Sequence, residues 1–304
     1  MIIAARRFAA AAVFALGWSN GYAQPNAATH MVTVDGRAVR VLAVGLEKRQ
    51  PGGPIIVLEA GLGHSIEGWI NLPAQLAALA PVIAYDRAGL GQSQWDSTAP
   101  TPQHVTSRLH KLLAQIGAGP PYVLVGYSWG GVLARYFAGY YPNEVAGLVY
   151  VDPGPTVTQP VSENLVPFDA IGAGRAGYDA YWKVFGDLIQ RASPRLAAEF
   201  AVVRDIMQQD LAQRGLRPAP NVPVVLIIAG KYLELQGIQF PYDPRAHFEA
   251  DLRHRTRMLE EWVLESSRGT LIVSSHITHA IPREDPDLIV WAVRRVLSAV
   301  TRRR

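Results

Sequence analysis

Cysteine is absent from all 304 residues. Disulfides, thiolate metal sites, a cysteine nucleophile and a lipoprotein anchor are thereby excluded together. Export is not, since a core of this size holds without covalent staples. Charge is sparse: Asp, Glu, Lys and Arg make up 18% of the chain against 49% hydrophobic residues, a balance that forms a packed core rather than a disordered coil. An excess of one sign is lacking too. The formal charge of +4 includes Arg6 and Arg7 near the start and Arg302, Arg303 and Arg304 at the other end. The bulk of the chain is thus near neutral, which argues against a nucleic-acid partner. The eight histidines are scattered, without H-E-x-x-H or paired ligand spacing, so neither a metal nor an organic cofactor is implied.

What is present begins with a leader pattern. Arg6 and Arg7 precede the uncharged run Phe8 to Leu16, and the small residues Gly21 and Ala23 flank Tyr22. That run, about nine residues, falls far short of the roughly 20 needed to span a bilayer. Residues 1–23 therefore read as a signal peptide, and the mature chain as exported, periplasmic or secreted, without a membrane span.

Beyond it, Met31 to Val34 and Ala38 to Val44 flank Asp35-Gly36, a hairpin signal with the residues a type I′ turn prefers. Short apolar runs follow at Ile55 to Leu58, Val82 to Tyr85, Tyr122 to Val125, Leu148 to Val151, Val224 to Ala229 and Thr270 to Val273. Stretches of helical spacing, such as Leu72 to Leu79 and Val105 to Ile116, separate most of them. Non-alternating strands between helices indicate an α/β fold: a mostly parallel, doubly wound sheet with helices on both faces. One interval, about 155–222, holds no strong strand and carries Phe168, Tyr178, Tyr181, Trp182, Phe185 and Phe200. It is too long for a simple crossover, and reads as a helical cap over the carboxyl ends of the strands.

The chemistry centres on Gly126-Tyr127-Ser128-Trp129-Gly130-Gly131, directly between a strand and a helix. Such a turn forces its central residue into a strained backbone and lifts the side chain above the sheet. A serine hydroxyl needs a base, and His276 or His279, after the Thr270 to Val273 strand, fits on spacing. An oxyanion needs two donors: the Trp129 N–H, and one from the loop Glu59-Ala60-Gly61-Leu62-Gly63-His64, where Leu62 is the candidate. Asp86, beside Arg87, reads as a structural ion pair and loop organiser.

These blocks, with Tyr85-Asp86-Arg87-Ala88-Gly89-Leu90-Gly91-Gln92-Ser93 and Leu148-Val149-Tyr150-Val151-Asp152-Pro153, resemble the α/β-hydrolase superfamily from about His30 to Val300. The resemblance implies Ser128 as nucleophile and His279 rather than His276 as base, because His279-Ala280-Ile281 precedes Asp285-Pro286. Where relatives carry Gly-x-x-Asp, this chain has Gly230-Lys231-Tyr232-Leu233-Glu234. The acid is then Asp152, at an alternative position some lipases use, or Glu234. The implied activity is cleavage of a carboxylic ester or similar acyl bond in a small, apolar substrate. C–C hydrolysis, acyl transfer or lyase chemistry on the same triad is the alternative, and a ligand-binding protein with a vestigial triad is another. Dehalogenase and epoxide hydrolase chemistry is disfavoured, since those relatives place Asp where Ser128 stands.

Overall fold

A computed structural model describes residues 28–301, the side chains of residues 191 and 192 excepted. The leader reading and the terminal arginines lie outside the described residues. Eight strands form one sheet: β1 (Thr29–Val34), β2 (Arg37–Val44), β3 (Ile55–Glu59), β4 (Val82–Tyr85), β5 (Tyr122–Tyr127), β6 (Val145–Val151), β7 (Val224–Ala229) and β8 (Gly269–Ser274). Their order is β1-β2-β4-β3-β5-β6-β7-β8. The hairpin pairs Val34 with Arg37, and Asp35 and Gly36 both take positive φ, 49° and 74°, as a type I′ turn requires. β2 runs antiparallel to β4, while β3 to β8 are parallel to their neighbours.

Burial on both faces explains the non-alternating runs. In β3, Ile55 and Val57 enter one core and Ile56 and Leu58 the other, so every position must be apolar. The first core packs under α2 (Pro102–Gln115), α3 (Trp129–Tyr140) and α7 (Pro244–Leu264); the second packs under α1 (Leu72–Leu76) and α9 (Pro286–Thr301). The helix expected over Leu72 to Leu79 ends at Leu76, leaving residues 77–81 to turn toward β4. Between β6 and β7 stand α4 (Val166–Asp169), α5 (Gly174–Ala192) and α6 (Pro194–Gln208). Phe185, Ile189, Leu196 and Phe200 form a third apolar cluster there, against which Leu62 packs. The α8 turn (Ile281–Glu284) leads into α9. No helix among the described residues is long and apolar enough to cross a membrane.

Candidate active site

Ser128 sits at the junction of β5 and α3 with φ 53° and ψ −122°. A non-glycine residue rarely adopts that backbone, and packing enforces it here. A Cβ on Gly126 would run into the Gly130 carbonyl, and one on Gly130 into the carbonyls of Glu59 and Ala60. The bend therefore closes only with glycine at both places. A serine at a helix N-cap ordinarily bonds back to an amide of the first turn. Ser128 makes no such bond; its Oγ lies 3.0 Å from His279 Nε2 instead.

His279 is held by its neighbours on the loop after β8. Thr278 donates its N–H and its hydroxyl to the Glu284 carboxylate, each at 2.7 Å. The Tyr127 hydroxyl donates to the His279 carbonyl at 2.9 Å. The other ring nitrogen, Nδ1, is 2.6 Å from Asp152 Oδ2. That contact assigns the proton: Nδ1 donates to the carboxylate, so Nε2 is free to accept from Ser128.

Asp152 follows β6 and, like Ser128, has a positive φ, 43°. Its carboxylate is almost fully buried. Oδ1 accepts the Ala229 N–H at 3.0 Å and an Arg255 N–H at 2.5 Å. Burial alone would raise the pKa of this group, but Arg255 and His279 outweigh it and hold the carboxyl well below its usual range. Glu234, the other carboxylate considered, is exposed in the loop after β7 and makes no hydrogen bond to His279. His276 is likewise exposed and makes no contact with Ser128. The structure thus joins Ser128, His279 and Asp152 in one chain of hydrogen bonds and leaves Glu234 and His276 outside it.

Trp129 and Leu62 carry the two amides expected as oxyanion donors. Trp129 is the first residue of α3, so its N–H has no intrahelical acceptor. The Leu62 N–H follows the Gly61 carbonyl that Arg87 holds, whereas the next amide, Gly63, is committed to Glu199 Oε2 at 2.8 Å. The loop around Leu62 is fixed by a saturated guanidinium. Arg87 donates to both carboxylate oxygens of Glu199 at 2.6 and 3.0 Å, to Glu59 at 3.0 Å, and to the carbonyls of Ala60 and Gly61 at 2.6 and 2.7 Å. Those five bonds use all five guanidinium donors. Glu199 comes from α6, so the insertion and the Leu62 loop are bolted together.

Sequence reasoning paired Asp86 with Arg87, and the structure corrects this. Adjacent residues of extended chain point to opposite sides. Asp86 turns to the Ile66 and Gln92 amides and lies 3.5 Å from Arg40, while Arg87 turns to Glu59 and Glu199. Its role as loop organiser stands. The partners Glu199, Arg255 and Glu284 escaped sequence reading, because each is an ordinary charged residue of a polar helix until the fold brings it to the site. Arg87 and Glu199 also line a pocket with Trp95, His104 and Arg195, which neither Ser128 nor His279 borders. Among the described residues, no three His, Asp or Glu side chains converge as a metal ion would require.

Comparison with known proteins places this architecture. The family model described as the alpha/beta hydrolase fold matches residues 54–190, a span that contains Leu62, Ser128, Trp129 and Asp152 and stops short of His279. The uncharacterized protein YqjL of Bacillus subtilis is 32% identical over 121 residues, 40% of this chain and 46% of that protein. Lipase LipV of Mycobacterium tuberculosis is 34% identical over 114 residues, 37% of this chain and 42% of its own. The likeness thus spans less than half the length of either relative. Among solved structures, a thermophilic esterase from Thermogutta terrifontis superposes with a TM-score of 0.57 at 19% identity, covering 90% of this chain and 99% of that one. Strand order, the bend at Ser128 and these matches agree: the chain has the α/β-hydrolase fold.

Proposed function

We propose that this protein is a serine hydrolase that cleaves a carboxylic ester or similar acyl bond through an acyl-enzyme. The observation that carries the reading is a single imidazole bridging a strained, uncapped serine hydroxyl at 3.0 Å and a buried carboxylate at 2.6 Å. In the first half-reaction His279 Nε2 takes the proton as Ser128 Oγ attacks the carbonyl carbon, and Asp152 stabilises the imidazolium. Charge developing on the carbonyl oxygen rests on the Leu62 and Trp129 amides, aided by the N-terminal end of α3. The imidazolium then protonates the leaving alcohol. Water, activated by the same nitrogen, releases the acid and restores Ser128.

The α4–α6 segment acts in this reading as a cap over the site. Glu199 ties it to the Leu62 loop, and Leu62 packs on the Phe185, Leu196 and Phe200 cluster, which supports an apolar acyl or alcohol group beside the oxyanion donors. The likeness to a lipase and to an esterase fold points the same way. Residues 1–23 are an export leader in the same proposal, and N-terminal sequencing of the secreted form, with a start near Gln24 expected, tests it. The activity is tested with a fluorophosphonate probe and p-nitrophenyl esters of graded chain length. Stoichiometric labelling at Ser128 and loss of turnover in Ser128→Ala are expected; labelling elsewhere, or undiminished turnover in Ser128→Ala, rejects the assignment.

A further inference from the structure

The carboxylate behind His279 is not held by amides alone. Arg255, on α7, sends one nitrogen to Asp152 Oδ1 at 2.5 Å and the other to the Ala229 carbonyl at 2.7 Å. The Ala229 N–H meets the same Oδ1 at 3.0 Å. Guanidinium, strand end and carboxylate thus form a closed set, with only Oδ2 left to face the imidazole. α7 is aimed for this by Asp243, whose carboxylate caps the Arg245 and Ala246 amides. Asp251, one turn before Arg255, lies 3.3 Å from its Nε but is itself 39% exposed, so solvent screens that second carboxylate far more than the nearly buried Asp152.

We propose that Arg255 is a positioning residue of the acyl-transfer site, which fixes the rotamer of Asp152 and cancels much of the charge that this carboxylate presents to His279. The proposal rests on the serine-hydrolase reading above. A lone buried carboxylate favours the protonated imidazole strongly; a carboxylate already paired with a cation favours it less, yet still orients the ring. The other charged or titratable groups around His279 are few. Tyr127 donates its hydroxyl to the His279 carbonyl, Glu284 is engaged by Thr278, His64 stacks on the far side of Tyr127, and Lys231 meets the loop through its backbone N–H to Ile277. His276 is exposed three residues away. Among the described residues Arg255 is the one cation besides His279 paired with Asp152.

Removing a unit charge roughly 6–7 Å from a ring that is half exposed, at an effective dielectric of about 40, moves a titration by about one unit. The sign is fixed by the base: losing the cation makes the imidazole easier to protonate, so the acid limb of kcat/KM moves to higher pH. The experiment compares pH profiles of p-nitrophenyl butyrate hydrolysis for the full-length protein and for Arg255→Met, Arg255→Gln and Arg255→Lys. Met and Gln are expected to shift the limb up by about one unit. Lys keeps the charge without the two-pronged geometry, so its limb should coincide with that of the unsubstituted protein while kcat falls several-fold. A Met variant too unstable to assay leaves Gln, which retains an amide donor toward Asp152, to read the shift. An unmoved limb in the uncharged variants, or a Lys variant shifted as far as they are, overturns the proposal. Equal turnover by Ser128→Ala would instead remove the hydrolase reading on which it stands.

Discussion

Replacing Glu199 tests whether the cluster under the Leu62 loop is held by charge or by shape. Two carboxylates, Glu59 and Glu199, share the one guanidinium of Arg87, and all three side chains are buried. Burial pushes the Glu59 carboxyl up in spite of Arg87 and of the Tyr85 hydroxyl that donates to it at 2.6 Å. Glu199→Ala strips two bonds from Arg87 and one from the Gly63 amide, leaving buried donors unpaired. Removing one partner of a buried pair costs about 3–5 kcal/mol, which for a chain of this size lowers Tm by roughly 6–10 °C. Glu199→Gln should behave differently. Arg87 keeps Glu59, so the cluster becomes a neutral pair, and the amide oxygen still accepts one bond; a cost of about 1–2 kcal/mol follows. Arg87→Met strands two carboxylates together and should be the worst of the three. Thermal unfolding of the four proteins at neutral pH gives the order. If Glu199→Gln falls as far as Glu199→Ala, the shared-charge account is wrong and the second carboxylate's charge, not its shape, holds the loop.

Ser128→Gly should abolish turnover and yet raise stability by about 1 kcal/mol, since glycine carries no penalty at φ 53°; a melt that shows no gain would mean the bend stores no strain. Gly130→Ala should fail to give soluble folded protein, because its Cβ meets the carbonyls of Glu59 and Ala60, and a normal melting curve would contradict the packing. Asp152 has a folded-state pKa depressed below its ordinary 3.8, so its contribution is present above that pH and disappears as pH falls through the folded value. Tm of the unsubstituted protein should therefore drop more steeply between pH 4 and pH 2 than Tm of Asp152→Asn, and parallel curves would refute the assignment.

The parts legible in sequence are those fixed by local constraint. The strands β3 to β7 announce themselves because a strand buried on both faces admits only apolar residues, and the bend at Ser128 does so because two glycines are sterically required beside it. The carboxylate was harder. β6 and β7 are neighbours in the sheet, so residues beyond either end approach the β8 loop, and spacing does not separate Asp152 from Glu234. What separates them is a backbone turn at Asp152, with φ 43°, and a strand end at Ala229 that supplies a donor. Arg87 shows the opposite failure, an adjacent acid chosen over a partner 112 residues away. Charged side chains choose partners by where folding takes them, and nothing in the local pattern of α6 or α7 marks Glu199 or Arg255.

The Oγ of Ser128 and the ring of His279 come from positions 151 residues apart, joined only after β6, β7 and β8 have added in turn to one side of β5. A polypeptide emerging from a ribosome would carry its nucleophile long before it carried its base. Under the proposed serine-hydrolase reading, reactivity toward an ester switches on with the docking of β8, and the rate at which turnover appears during refolding clocks the closure of the sheet itself.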